Sequence, residues 1–285
     1  MKILVTGING QVGHALMHEL TEHDLIGLTR QDCDLTNLDQ IKQVIDQHQP
    51  DLIINPAAYT KVDQAEDEPK LAFQINRDAP RVMAEKAREY NIPFIHFSTD
   101  YVFDGQKEVP YIEEDFPNPL GVYGKSKFAG EEAIREIDGQ YYIFRTSWVY
   151  SSVGQNFYLN IQRKIEEHDE LKVVNDQLGV PTSSLFIAQQ IKKIIHKLLN
   201  ENKGIYHLVP NGISTWFDFA QLILNTSQLD QSKKKIIPVS SKQYPTRAIR
   251  PENSCLLNAK IQNAFMLELN DWKSVFLESF KNINE

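Results

Sequence analysis

Ile3-Leu4-Val5-Thr6-Gly7-Ile8-Asn9-Gly10-Gln11-Val12-Gly13 sets the reading of the whole chain. Three aliphatic residues run into three glycines spaced three apart, and Val12, Leu16 and Leu20 then follow at four-residue intervals. This is the pattern of a short buried strand, a tight turn and an amphipathic helix. Glycine at positions 7, 10 and 13 lets such a turn close and lets its backbone approach a pyrophosphate, an anion that suits a helix N-terminus. A plain strand-to-helix turn also uses glycine, but its place between an N-terminal strand and a helix favours a dinucleotide site built from Gly7, Gly10, Gln11, Val12 and Gly13.

Working outward, strand and helix patterns keep alternating. Leu25–Leu28 reads as a strand, Leu38–His48 as a helix, Leu52–Asn55 as a strand, Pro80–Tyr90 as a helix, and Phe94–Phe97 and Tyr141–Phe144 as strands. Short, continuously apolar strands joined by crossover helices imply parallel pairing with both faces buried. The predicted fold is α/β, a Rossmann-type doubly wound parallel sheet over residues 1–150, with some later segments returning to it. Helices near Asn156–Glu167, Leu185–Asn200 and Phe217–Thr226, with short apolar strands between them, make residues 151–285 mainly a smaller C-terminal α/β substrate-binding cap.

Composition narrows the function. With 285 residues, 41% hydrophobic and 24% charged, the chain has material for a core. A formal net charge of −8 gives no general attraction to nucleic acid or to an anionic membrane. The only basic run, Lys233-Lys234-Lys235, reads as a solvated turn. Cys33 and Cys255 are far apart and lack metal spacing, so free thiols are expected. The N-terminus has no signal-peptide pattern and no segment has membrane-spanning length, so the expected location is cytoplasmic.

Chemistry-bearing residues fall at strand ends. Arg30 follows the second strand, where this fold usually carries an acid for the ribose hydroxyls; a guanidinium can instead grip a 2′-phosphate, favouring NADPH with NADH as the alternative. A surface arginine at a strand end would look the same. Asp34 and Leu35 are placed to hold the adenine edge, and Ala57, Ala58, Tyr59 and Thr60, after the third strand, to line the cofactor. Ser98 and Thr99 end the fourth strand, where a hydroxyl can hold a carbonyl oxygen. Tyr123 and Lys127 are four apart at the start of a helix and share a face, so the ammonium is expected to lower the phenol's pKa and ready it for proton exchange. Trp148, just past a strand, can pack against a base or sugar, or fill the core. His14 and His18, four apart on the first helix, read as a solvated edge, and no metal is expected in the chemistry.

Gly7–Gly13, Asn55–Asp63, Ser98–Phe103, Arg145–Tyr150 and Asp176–Thr182 together carry a resemblance, the last three specifically. Over nearly its whole length the chain resembles the extended short-chain dehydrogenase/reductases, most closely the dTDP-4-dehydrorhamnose reductase family. The resemblance implies reduction of the C4 ketone of a dTDP-linked 4-keto-6-deoxy sugar to dTDP-L-rhamnose, with Thr99, Tyr123 and Lys127 as the catalytic set. It also implies a substrate side at Thr99, Asp100, Trp148 and Arg250, and a monomer or homodimer. Related dehydratases carry Asp-Glu where this chain has Asp100-Tyr101; the glutamate needed for water elimination is missing, and simple carbonyl reduction fits best. Some relatives use a glutamate for a metal-bridged dimer where Ala15 stands here. The rival readings are a reductase of another nucleotide keto sugar and a catalytically silent cofactor-binding regulatory subunit.

Overall fold

Along the first strand of the computed structural model, which describes residues 1–281, Ile3 and Val5 face one apolar core and Leu4 faces the opposite one. The same alternation recurs at Leu52 and Ile54 against Ile53, and at Tyr142 and Phe144 against Ile143. Side chains of period two with both sets apolar require cover on both faces, which is why the strands read as unbroken apolar runs. Strands β1 (Lys2–Thr6), β2 (Asp24–Leu28), β3 (Leu52–Asn55), β4 (Phe94–Thr99) and β5 (Tyr141–Thr146) form a sheet in the order β2-β1-β3-β4-β5, with Gly204–His207 as the sixth strand beside β5. Every neighbouring pair is parallel.

Helix α1 (Gln11–Glu19) and the helix Ser184–Ile194 supply side chains to one core, while α2 (Leu38–His48), Ala79–Glu89 and Val122–Ile137 supply the other. From β1 the chain crosses one way to β2 and the other way to β3. A crevice opens beyond the carboxyl ends at such a switch point, and that is where ligands of these sheets bind. A third core, with Tyr150, Tyr158, Ile161, Phe219, Ile223 and Phe276, is built on the helices Phe157–Glu167, Trp216–Thr226 and Trp272–Lys281. Thr215 starts the second of these with a reciprocal capping box to Asp218.

The predicted Leu38–His48 helix and Leu52–Asn55 strand have those bounds in the structure. The helix predicted over Leu185–Asn200 is shorter, ending at Ile194 and tightening into a 3₁₀ turn at Ile195–Lys197. The segment Gly204–His207 joins the main sheet. Among the described residues, no helix is long and apolar enough to cross a membrane.

Among the described residues, one ion pair lies wholly inside. Arg145 on β5 donates from Nε to Glu131 Oε1 at 2.9 Å and from a terminal nitrogen to Oε2 at 2.6 Å, fixing the Val122–Ile137 helix against the sheet. Removing one partner would strand a buried charge. Arg145→Met should lower unfolding stability by about 3–5 kcal/mol in urea titration, and adding Glu131→Leu should recover most of the loss. A single variant as stable as the double one would contradict this.

Candidate functional site

The glycine turn sits at the switch point. Gly7 has φ +59°, and a Cβ there would stand 2.8 Å from the Cβ of Ala57 at the end of β3. A Cβ at Gly13 would stand 2.3 Å from the Gly7 carbonyl oxygen, so the helix can approach the turn only without one. Gly10 is exposed and meets only that carbonyl, at 3.2 Å, and no side chain caps α1. The first amides of α1 are thus accessible, as a pyrophosphate requires. The Gln11 side chain is engaged elsewhere: its Oε1 accepts from Ser151 Oγ at 3.0 Å and Asn156 Nδ2 at 2.9 Å, tying α1 to the segment after β5. Val12 packs partly buried against the core.

Arg30 is exposed beyond β2. Asp34 accepts from the Thr36 amide at 3.0 Å, a bond that holds its carboxyl below the usual range, and Leu35 is buried. After β3, Ala57 and Ala58 are half-buried and Thr60 is exposed. Ala57 meets Gly7 rather than leaving open room. Tyr59 turns its hydroxyl to Glu68 Oε2 at 2.7 Å. Its backbone bonds to Asn76 in both directions, at 2.9 and 3.1 Å, and Asn76 also donates to Ser126 Oγ at 3.0 Å. Asn76 thereby links the cofactor rim to the Val122–Ile137 helix.

At the end of β4, Thr99 Oγ1 donates to Asp100 Oδ1 at 3.0 Å and accepts from the Tyr101 amide at 3.2 Å. The same hydroxyl lies near enough to the Tyr123 phenol to favour its ionised form. Gly124 makes this possible, since a Cβ there would lie 2.2 Å from the Tyr101 carbonyl oxygen. Tyr101 meets Tyr123 edge-on at 5.9 Å, and Val62, Ile249 and Pro251 close the small cavity around them. Burial pushes the phenol up to about 12, with the Thr99 hydroxyl pulling the other way and the Asp100 charge adding to the rise. This corrects the expectation of a lowered phenol: burial dominates, and the Lys127 ammonium is bonded elsewhere.

Lys127 is buried, and its Nζ donates to the Phe97 carbonyl oxygen at 2.6 Å and lies 3.1 Å from His96 Nε2. His96 Nδ1 lies 3.1 Å from Asn55 Nδ2, and Thr6 Oγ1 donates to Asn55 Oδ1 at 2.6 Å. All four side chains are buried. Burial pushes the Lys127 ammonium down to about 7, and burial together with Lys127 holds the His96 ring well below its ordinary value. A neutral imidazole accepts at one nitrogen and donates at the other. With Asn55 donating to Nδ1, Nε2–H gives to a neutral Lys127 amine; with an ammonium donating to Nε2, Nδ1–H must face the Asn55 oxygen. The protonation of Lys127 is therefore coupled to the orientation of Asn55.

The residues expected on the substrate side are more dispersed. Asp100 is buried beneath Thr99, with Oδ2 lacking a partner and the carboxyl pushed up to about 7 by burial. Trp148, at φ +45°, stacks on Trp216 at 3.6 Å, and the bare Gly179 gives the indole its slot. Arg250 pairs with Asp63 Oδ2 at 3.3 Å, and its buried Nε has no partner. Asp63 also accepts from the Ala248 amide at 2.9 Å, pinning the segment that covers Tyr123. Asn76, His96 and Asp63 were given no role from sequence; a polar residue interrupting the apolar run Phe94-Ile95-His96-Phe97 was the available signal for His96.

The family model described as RmlD substrate binding domain matches residues 1–284. A dTDP-4-dehydrorhamnose reductase of Sinorhizobium fredii is 40% identical over 279 residues, covering 96% of this chain and 94% of the relative. One from Escherichia coli K12 is 40% identical over 283 residues, covering 96% and 95%. The crystal structure of the Bacillus anthracis dTDP-4-dehydrorhamnose reductase in complex with NADP superposes with a TM-score of 0.93 at 35% identity, covering 99% of each chain. With a match along its length and the Thr99, Tyr123 and Lys127 side chains gathered at one rim, the chain belongs to the RmlD substrate binding domain family, alongside the dTDP-4-dehydrorhamnose reductases.

Proposed function

We infer that this chain is an NADPH-dependent reductase that converts the C4 ketone of dTDP-4-dehydro-L-rhamnose into the alcohol of dTDP-L-rhamnose. The observation that carries the reading is Tyr123, one helical turn before Lys127 on the helix Val122–Ile137, with Lys127 bonded to Phe97 on the strand that ends at Thr99. Two buried free thiols, Cys33 and Cys255, suit a reducing, cytoplasmic setting. We assign it to that compartment as a monomer or homodimer.

A bound NADPH supplies the hydride. The backbone of Gly7, Gly10, Gln11, Val12 and Gly13 holds the pyrophosphate, and Arg30 holds the 2′-phosphate. Asp34 and Leu35 flank the adenine, Ala57 through Thr60 line the cleft, and Lys127 Nζ would turn from Phe97 and His96 to reach the ribose. Thr99 Oγ1 orients the ketone oxygen. Tyr123 then gives its proton to that oxygen as it gains charge. A phenol whose pKa is about 12 keeps its proton at neutral pH and still loses it readily to an alkoxide, which suits reduction. Lys127, poised near 7, can return a proton to the phenolate side of the site. We place Asp100 beneath the sugar, Trp148 against the base or sugar face, and Arg250 at the diphosphate.

Tyr123→Phe should lower kcat by about 10²–10⁴-fold with NADPH affinity close to native, measured by NADPH oxidation and fluorescence titration. Native turnover in this variant would remove the phenol from the chemistry. Arg30→Ala should raise KM for NADPH by about tenfold or more, since one charge-assisted hydrogen bond is worth about 1.5–3 kcal/mol, while KM for NADH stays level. An equal effect on both cofactors would contradict the 2′-phosphate role.

A further inference from the structure

Away from the rim, the turn that carries Glu22 and His23 between α1 and β2 meets the 3₁₀ turn Ile195–Lys197. Segments that lead into parallel strands lie at the amino edge of the sheet, opposite the reductase site. Glu22, His23 and His196 each place a potential ligand atom within 4.8 Å of the other two. Glu22 Oε1 stands 4.0 Å from His23 Nε2, and the two imidazole rings meet edge-on with centroids 5.3 Å apart.

His23 distinguishes this cluster from a chance gathering of surface groups. Its side chain is only 6% exposed, and its Nε2 is buried without a hydrogen-bond partner. A buried nitrogen left unpaired is costly, and native structures rarely leave one without a reason. Around it, Glu22 and His196 are exposed and free to rotate inward. Lys192 takes Glu22 Oε2 at 3.2 Å, which leaves Oε1 facing His23.

We propose that Glu22, His23 and His196 form a binding site for a divalent transition ion, with Zn²⁺ the best fit. Two imidazoles and one carboxylate are ligands of borderline softness, suited to Zn²⁺, whereas Mg²⁺ demands a near-octahedral shell of oxygens. Tetrahedral zinc with bonds of about 2.0–2.1 Å brings its ligand atoms to about 3.3 Å from one another, so the exposed side chains close inward by rotation about a fixed His23. Water completes the fourth position. The ion joins the turn after α1 to the end of the Ser184–Ile194 helix, two elements already packed on one face of the sheet. Its role is to clamp the Ser184–Ile194 helix to the N-terminal half, independently of the reductase reading.

The test uses untagged, metal-stripped protein titrated with Zn²⁺ by calorimetry, with thermal melting in parallel. The native chain should bind one Zn²⁺ and melt at a higher temperature with it, while Mg²⁺ at the same concentration leaves melting unchanged. His196→Ala, at an exposed side chain, should lose at least about tenfold in Zn²⁺ affinity, a range that loss of an outer-shell partner alone can reach, and should lose the melting shift. The competing chelator is the exposed pair His14 and His18 on α1, with ring centroids 4.5 Å apart. His18→Ala should bind Zn²⁺ as the native chain does. Binding that survives His196→Ala, that disappears in His18→Ala, or that is absent from the native chain would overturn the proposal.

Discussion

A line of buried polar side chains crosses the sheet from Thr6 through Asn55 and His96 to Lys127, and the rest of the site is arranged around it. Thr6, Asn55 and His96 each interrupt or end an otherwise apolar strand, and each member of the line would be costly there without its neighbour. The line can close only if the carboxyl ends of β1, β3 and β4 are level and the Val122–Ile137 helix lies directly across them. It therefore sets the distance between the glycine turn, which begins at the residue after Thr6, and the lysine. The burial that makes the line expensive also lowers Lys127 toward neutral pH and silences His96.

Other contacts hold the same helix without touching the rim. Gly124 and Gly130 each let a carbonyl oxygen approach to where a side chain would stand, that of Tyr101 at 2.2 Å and that of Asn76 at 2.1 Å. Arg145 and Glu131 fix it from the sheet side. Phenol and ammonium are thus placed before any ligand arrives. Such preorganisation lets polar groups act on developing charge without a reorganisation cost.

What the sequence revealed was local. The glycine turn follows from spacing within eleven residues, and the shared face of Tyr123 and Lys127 follows from a four-residue step on a helix. Strand ends were legible because apolar runs stop there. The strand Gly204–His207 was not assigned to the main sheet because four residues carry too little pattern to show which neighbour they pair with. The phenol's pKa escaped prediction because it depends on what surrounds the ring, and the ammonium is turned instead toward Phe97 and His96. Likewise, the partnership of Arg250 with Asp63 spans 187 residues of chain, which no spacing rule reaches.

Nitrogen-15 NMR of histidine-labelled protein measures the His96 imidazole directly. A ring buried between Asn55 and Lys127 should stay neutral, with one protonated nitrogen, from pH 5 to 9, and Lys127→Met should shift its Nε2 signal. A His96 ring that titrates near the free-histidine value of about 6.5, with Nε2 indifferent to Lys127→Met, would contradict the connected line from which this account of the site is built.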